Sequence, residues 1–369
     1  MIYLDSAATS FHKPHSVAVA VQSTMNRCAS PGRGGYGAAR AAAEVVYTCR
    51  ERAGALFGCG PEQVVFTMNC THGLNIAIRS LVKPGDTVVI SGFEHNAVLR
   101  PLYALGAKVR VAGRRLFCRE DTLEEFEKAL EDKPKAAVFT HVSNVFGYIL
   151  PVEQMARMCR ERGIPFILDA AQSAGAIPVS LEELGAEFIA MPGHKGLLGP
   201  QGTGLLLCRR PGEPLFYGGT GTDSLSREMP EYLPERLEAG TMNVPGIGGL
   251  SQGLACLQRR GVEQIGRRER ELARICGEEL QKLGCRVFSG EHQAGVVSFL
   301  PGMDCEEAAH ILGRQGFAVR AGLHCAPLAH ESAGTLDTGT VRVSFGYGTK
   351  REELNRFLPA VYKLRAGKN

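Results

Sequence analysis

The sequence predicts an α/β chain: a large domain on a mostly parallel sheet, residues 15–249, and a smaller α+β domain formed by residues 1–14 and 250–369. Three observations carry that reading. From Val64 onward, short apolar runs alternate with segments of helical period, the pattern of parallel strands joined by crossover helices and covered on both faces. Small and polar residues follow these runs, as expected where a site forms outside the carboxyl ends of such strands. Beyond residue 283 the pattern changes to short strands with fewer helices, which suits a compact second unit.

In order, Ile2-Tyr-Leu-Asp5 opens as a short strand, and an amphipathic run follows from Val17 to about Cys28. Ser30 to Gly37 is a glycine-rich loop with one arginine, Arg33, and one tyrosine, Tyr36. A long helix over 38–57 should stop at Gly58, the residue type favoured just past a helix end. Strands are expected at 64–67, 87–91, 108–112, 135–140, 164–168 and 187–191, with a further apolar run at 205–208. Helices are expected at 73–82, 96–106, 122–132 and 152–162. Residues 211–250 are loop-rich, and so long an excursion suggests function or a subunit contact. A helical pattern runs from Gly246 to Leu283, broken near Gly261. Short strands at 285–288, 295–300, 317–321 and 340–345 and helices at 304–314 and 350–364 complete the chain.

Composition excludes several classes. Of 369 residues, 44% are hydrophobic and 22% charged, an ordinary globular balance. A net charge of +4, with basic residues only in short clusters and no aromatic interleaving, argues against nucleic-acid binding. No apolar stretch approaches a membrane span, and the N-terminus has neither the basic nor the apolar region of a secretion signal. Twelve cysteines without a Cys-x-x-Cys spacing suit a cytoplasmic protein whose thiols stay reduced, most of them acting as small buried hydrophobes.

The organising stretch is Phe188 to Gly204, in which Lys195 stands between an apolar run and a glycine-rich turn. A lysine so placed is poorly solvated, which lowers its pKa and makes it a nucleophilic amine. The run Pro165-Phe-Ile-Leu-Asp169 ends in a carboxylate on the same predicted sheet edge. A terminal Asp beside a strand-end Lys is how a protein would hold pyridoxal phosphate. The Asp keeps the pyridine nitrogen protonated, and the Lys holds the aldehyde as a Schiff base. His95, Asn144 and Gln172 fall at other strand ends. Singly, each reads as a loop, turn or helix-start residue; together with Lys195 they mark one edge.

Six ordered motifs then carry a family resemblance: Leu4-Asp-Ser-Ala-Ala-Thr9, His141-Val-Ser-Asn-Val-Phe-Gly147, Asp169-Ala-Ala-Gln172, Gly193-His-Lys195, Glu238-Ala-Gly-Thr-Met-Asn243 and Arg320-Ala-Gly-Leu-His-Cys-Ala326. From residue 2 to about 347 the chain resembles class V aminotransferase-fold enzymes, which are pyridoxal-phosphate-dependent transferases of fold type I. Within them it is similar to cysteine desulfurases and selenocysteine lyases of the SufS/NifS-related type. The resemblance implies that Lys195 carries the cofactor and shuttles protons, and that Asp169 pairs with the pyridinium. Gln172 would reach the ring phenolate oxygen, and His95 would stack on the ring and relay protons. Asn144 would lie beside the phenolate oxygen and the substrate carboxylate. Cys70, Thr71 and His194 fall at phosphate-ligand positions, and Thr241 would complete the phosphate cup of a partner subunit in a homodimer. Arg342 would bind the substrate α-carboxylate, although an arginine alternating with apolar residues on a strand is more often exposed than buried.

Cys325 would make the enzyme a desulfurase. Removing sulfur as S⁰ needs a thiolate to attack the substrate sulfur, and a thiol beside His324 in a Gly/Pro-bounded segment could have a lowered pKa. The short segment resembles the group that hands sulfur to an acceptor protein. Three departures stand out: Cys70-Thr71 where two threonines are common, His72 for an acidic residue, and Pro192 for a phosphate-binding hydroxyl. Pro327-Leu-Ala-His330-Glu331 also differs from the commonest sequence and lines the expected entrance. The expected function is conversion of L-cysteine to alanine with a persulfide on Cys325. The alternatives are a selenocysteine lyase, a class V lyase or aminotransferase in which Cys325 is a bystander, and a weakly catalytic sulfur-delivery scaffold.

Overall fold

The computed structural model describes residues 1–32 and 34–367, so Arg33 of the glycine-rich loop lies outside the described residues. Strand β1 (Ile2–Tyr3) leads to helices α1 (His15–Arg27) and α2 (Gly37–Phe57). The latter ends where the sequence requires: Gly58, at φ +59°, returns its N–H to the Gly54 carbonyl. Strands β2 (Val64–Thr67), β3 (Thr87–Ser91), β4 (Lys108–Ala112), β5 (Ala136–Thr140), β6 (Phe166–Asp169) and β7 (Phe188–Pro192) follow. They are linked by α3 (Cys70–Leu81), α4 (Asn96–Ala104), α5 (Arg119–Glu131), α6 (Val152–Glu161) and the single turn α7 (Leu181–Leu184). Strand β8 (Gly204–Cys208) then returns beside β7.

The resulting sheet has the order β2-β8-β7-β6-β5-β3-β4. Only β8 runs against the rest. The strand pleat divides each apolar run between two cores. Val88, Ile90, Val138 and Ala190 pack with Leu74 and Ile78 of α3 and Val98 and Leu102 of α4. Val89, Phe139, Ile189 and Met191 pack with Phe57 of α2, Phe126 of α5 and Met155 of α6. Both faces are therefore covered, and the strands' carboxyl ends are left as the open edge.

After the long irregular excursion, α8 (Val244–Arg260) and α9 (Val262–Lys282) are separated at Gly261, as the periodicity requires. Strands β9 (Arg286–Phe288) and β10 (Val296–Leu300), helix α10 (Cys305–Arg314), strands β11 (Phe317–Ala318) and β12 (Arg320–Gly322), helix α11 (Pro327–Ala333), strand β13 (Thr340–Ser344) and helix α12 (Arg351–Arg365) complete the fold. An antiparallel sheet of order β12-β13-β10-β9 rests on α9, α10 and α12 through Leu272, Ile311, Leu312, Phe357 and Val361. Ile2 and Leu4 join that same core, because β1 pairs in parallel with β11.

Three differences from expectation have physical reasons. Helix α3 begins at Cys70 rather than 73, because the Asn69 side chain caps it by accepting the His72 N–H at 2.9 Å. The strand expected at 317–321 is two strands that part at Val319 to serve different sheets. Helix α11 was not expected at all; it is seven residues long and starts at Pro327, a favoured first helical residue.

Candidate active site

Five chain turns converge beyond the carboxyl ends of the large sheet. They enclose a cavity of about 200 Å³ lined by Cys70, Thr71, His95, Asn144, Asp169, Gln172, His194 and Lys195, among others. Of the eleven residues singled out from sequence, the fold thus gathers eight.

Lys195 follows β7 on a turn that only glycine permits at two positions. A Cβ on Gly193 would sit 2.1 Å from Thr203 Oγ1, and one on Gly196 would sit 2.2 Å from the Ala174 carbonyl oxygen. The N-terminal segment clamps the turn from outside: the His194 carbonyl accepts from Ser10 N at 3.0 Å, Ser10 Oγ at 2.9 Å and Thr9 Oγ1 at 3.1 Å. Burial pushes the Lys195 amine below its ordinary pKa, against the opposing charge of Asp169. The amine is thus desolvated, as its place between an apolar run and a glycine-rich turn suggested.

Asp169 ends β6 and is buried. Its Oδ1 accepts the Ala171 N–H at 2.9 Å and the Cys70 thiol at 3.4 Å, which leaves Oδ2 without a partner among the described residues. Burial, and then the Asp169 carboxylate, hold Cys70 well above the usual thiol pKa, so it stays protonated as a donor. The Cys70 thiol thus faces Asp169, while the His72 and Gly73 N–H groups are taken by Asn69 and the N–H groups of Cys70 and Thr71 are left at the start of α3. His95 caps α4, its Nδ1 accepting the Ala97 N–H at 3.0 Å, and burial lowers its pKa. His194 is held down to about 4, mainly by burial. The Gln172 amide donates to the Ala7 carbonyl at 3.0 Å.

Arg342 reverses the exposure expected of it. It lies on β13 with 2% of its surface exposed. Nη2 pairs with Asp5 Oδ1 at 2.7 Å, Nη1 donates to the Asn144 carbonyl at 2.9 Å, and Nε is buried without a partner. Asp5 was missed as a site residue, although it stands in the first of the six motifs. Glu94 was missed too: fully buried beside His95, it accepts from Ser91 Oγ and the Thr140 N–H, and burial raises its pKa to about 8.

Cys325 is the exposed cysteine of the twelve. It sits on a left-handed turn, with φ +50° at His324 and +57° at Cys325, a conformation that costs about 1 kcal/mol or more at each non-glycine residue. Two hydrogen bonds tie this turn to the cavity wall: Asn96 N to the Cys325 carbonyl and Asn144 Nδ2 to the His324 carbonyl, both at 2.8 Å. The expected help from His324 fails. Its ring is buried, with Nε2 3.2 Å from the Thr340 carbonyl, and burial followed by the Arg342 charge pushes its pKa to about 2. It is uncharged at neutral pH and supplies no positive field to the thiol. Thr241 is not brought to the cavity; it is exposed and lines a separate cavity of about 210 Å³ with Phe66, His72 and Phe216.

Among the described residues no helix is long and apolar enough to cross a membrane, and no group of three or more His, Cys, Asp or Glu side chains is arranged to hold a metal. The donor set instead suits pyridoxal phosphate. A free carboxylate oxygen awaits a ring N–H, a desolvated amine awaits an aldehyde, and a helix N-terminus awaits a phosphate.

Comparison with known proteins points the same way. The family described as aminotransferase class-V matches residues 2–357. A probable cysteine desulfurase of Xylella fastidiosa is 33% identical over 99% of this chain and 91% of its own length. One from Pyrococcus abyssi is 32% identical over 99% and 94%. The solved apo structure of a cysteine desulfurase from Thermococcus onnurineus NA1 superposes with a TM-score of 0.91 at 32% identity, covering 99% of this chain and 95% of that one. A cysteine desulfurase from Escherichia coli does so with a TM-score of 0.87 at 26% identity, covering 99% of this chain and 94% of that one.

Proposed function

We propose that this chain, which belongs to the class V aminotransferase family, is a pyridoxal-phosphate-dependent cysteine desulfurase that leaves sulfur as a persulfide on Cys325. The observation that carries the reading is the Cys325 turn: an exposed thiol, hydrogen-bonded through its own carbonyl to the helix that His95 caps. When bound, pyridoxal phosphate supplies an electron sink that labilises bonds around the substrate α-carbon.

The chain's own groups divide the remaining work. Asp169 would hold the ring nitrogen as its protonated form, and the start of α3 with His194 would hold the phosphate. Arg342 takes the substrate carboxylate, for which its unpartnered Nε is available. Lys195, kept basic at lowered pKa, moves the proton at the substrate α-carbon. The Cys325 thiolate attacks the substrate sulfur; the S–S bond forms as the Cβ–S bond breaks, and the electron pair stays with Cβ. That carbon takes a proton and becomes the methyl group of alanine, and Cys325 carries the added sulfur.

The exposure of Cys325 supports transfer of that sulfur to an acceptor protein. The position of Thr241 outside this cavity supports its service in a second copy's phosphate site, and hence a homodimer. The packing of Ile2 and Leu4 with the C-terminal core supports the division into 15–249 and 1–14 with 250–369. The test is alanine and sulfide release from L-cysteine, with selenocysteine in parallel, by wild type, Cys325→Ala and Lys195→Ala. Lys195→Ala should be colourless and inactive; Cys325→Ala should keep its yellow colour and lose turnover of cysteine. Undiminished alanine release by Cys325→Ala would sink the mechanism, and activity confined to selenocysteine would make the enzyme a lyase.

A further inference from the structure

Behind the Cys325 turn lie two buried histidines that the reaction does not use. His324 is on the turn itself, and His330 is on α11, the helix that starts two residues after the thiol. Their ring centroids are 5.8 Å apart, with planes tilted by 32°. Each ring keeps one nitrogen partnered and one orphaned: His324 Nδ1 and His330 Nε2 are buried without any partner. Orphaned polar atoms on two adjacent buried rings are uncommon and call for a joint account.

The partnered nitrogens constrain what the orphans are. His324 Nε2 faces the Thr340 carbonyl at 3.2 Å, and a carbonyl only accepts, so Nε2 carries the proton. The Thr340 hydroxyl, 3.4 Å from the same nitrogen, turns its proton to Ser298 Oγ at 3.3 Å, whose own proton goes to the Val145 carbonyl. A neutral His324 therefore offers a bare Nδ1. His330 Nδ1 lies 2.8 Å from Thr335 Oγ1, a hydroxyl able to donate or accept. If that hydroxyl donates, His330 Nε2 is an N–H, the complement of the bare nitrogen on His324. Burial holds both rings neutral, with His330 at about 4.

Neither orphan reaches the other unaided, and we propose that one buried water joins the two rings into a one-way chain of hydrogen bonds from Thr335 through His330 and His324 to the Thr340 carbonyl. This chain makes His330 a positioning residue for the Cys325 thiol. The left-handed turn at 324–325 persists only if its surroundings over-determine it. The two carbonyl contacts fix one side of the turn, and the histidine chain fixes the side facing the core. Helix α11 is itself docked, Ser332 Oγ donating to the Gly92 carbonyl at 2.8 Å, so His330 is a firm post. The role assigned to His330 rests on Cys325 being the sulfur acceptor; the hydrogen-bond chain does not.

Two measurements test this on the cofactor-loaded enzyme. Nitrogen-15 histidine spectra of the wild type should show both rings neutral, protonated at Nε2 and bare at Nδ1. A proton on His330 Nδ1, or a charged ring at neutral pH, overturns the chain. His330→Phe should lower kcat for alanine formation about tenfold or more, the cost of a misplaced reacting group, while colour, KM and the rate of Cys325 alkylation stay within about twofold. His330→Gln, whose amide can accept from Thr335 and donate to the bridging water, should recover most of that loss. A His330→Phe enzyme with unchanged kcat, or a Gln variant no better than Phe, overturns the positioning role. Undiminished turnover by Cys325→Ala would instead remove the acceptor reading, with the nitrogen-15 result still deciding the chain.

Discussion

Asp5→Asn should weaken the folded enzyme and tighten substrate binding at the same time. Arg342 is buried and its Nη2 lies 2.7 Å from Asp5 Oδ1. The direct attraction at that distance is about 6 kcal/mol for an effective dielectric of ~20, most of it offset by the cost of desolvating the two ions. The net quantity is better taken from hydrogen-bond energetics. Removing one partner of a buried pair outright costs about 3–5 kcal/mol; the asparagine keeps shape and an acceptor for the Arg342 cation, so only part of that, about 1–1.5 kcal/mol, should be lost. Arg320 Nε at 3.4 Å from Asp5 is half exposed and adds little. A substrate carboxylate that docks bidentately on Arg342, through the free Nε and through Nη2, must compete with Asp5 for Nη2. Removing the competing charge should therefore lower the dissociation constant of a non-reacting carboxylate analogue of cysteine about five- to tenfold, the same free energy with opposite sign. Urea unfolding followed by circular dichroism gives the stability, and displacement titration of the cofactor-loaded enzyme gives the affinity. If stability falls while affinity stays unchanged or weakens, Arg342 is not the carboxylate ligand.

Other consequences are equally direct. Glu94 has a folded pKa raised to about 8, so its contribution is fully present below the unfolded value near 4.5 and is lost as pH rises through about 8. The advantage of Glu94→Gln over wild type in urea unfolding should thus grow with pH across that window, by up to about 1.4 kcal/mol per unit, and level off above it. An advantage that does not grow with pH would mean that Glu94 is ionised in the fold. Gly196→Ala places a Cβ 2.2 Å from the Ala174 carbonyl oxygen, a contact the Lys195 turn cannot absorb. It should abolish the yellow colour of the purified enzyme and destabilise it by about 2 kcal/mol or more. A coloured, active Gly196→Ala would show that the turn tolerates displacement.

The large sheet was legible because each of its strands is a local apolar run and each helix between them has its own period. Lys195 and Asp169 were legible for the same reason, since strand ends are visible in the chain and the open edge of an α/β sheet is where chemistry collects. What stayed hidden depends on contacts between distant segments. Arg342 reads as an exposed strand residue until Asp5 and the Asn144 carbonyl are brought to it, 337 and 198 positions away. His324 reads as a neighbour of the thiol, but the left-handed backbone points its ring inward, and no local pattern announces that. Helix α3 gained its first turn from the Asn69 side chain, a cap that a window of apolar periodicity does not register. Thr241 and its loop carry a motif without showing, within one chain, what the motif serves.

The clamp that the N-terminal segment places on the lysine turn has a consequence for the order of biosynthesis. The partners of Ile2 and Tyr3, Phe317 and Ala318, are made more than three hundred residues after them. Ser10 must likewise wait for His194, and Asp5 for Arg342. Translation can thus finish the large sheet and the Lys195 turn while Arg342 is still missing. A nascent or truncated chain at that stage would lack Arg342, the proposed carboxylate ligand. The segment from Ile2 to Ser10 acts as a late fastener, settling only once Phe317 and Arg342 have been made.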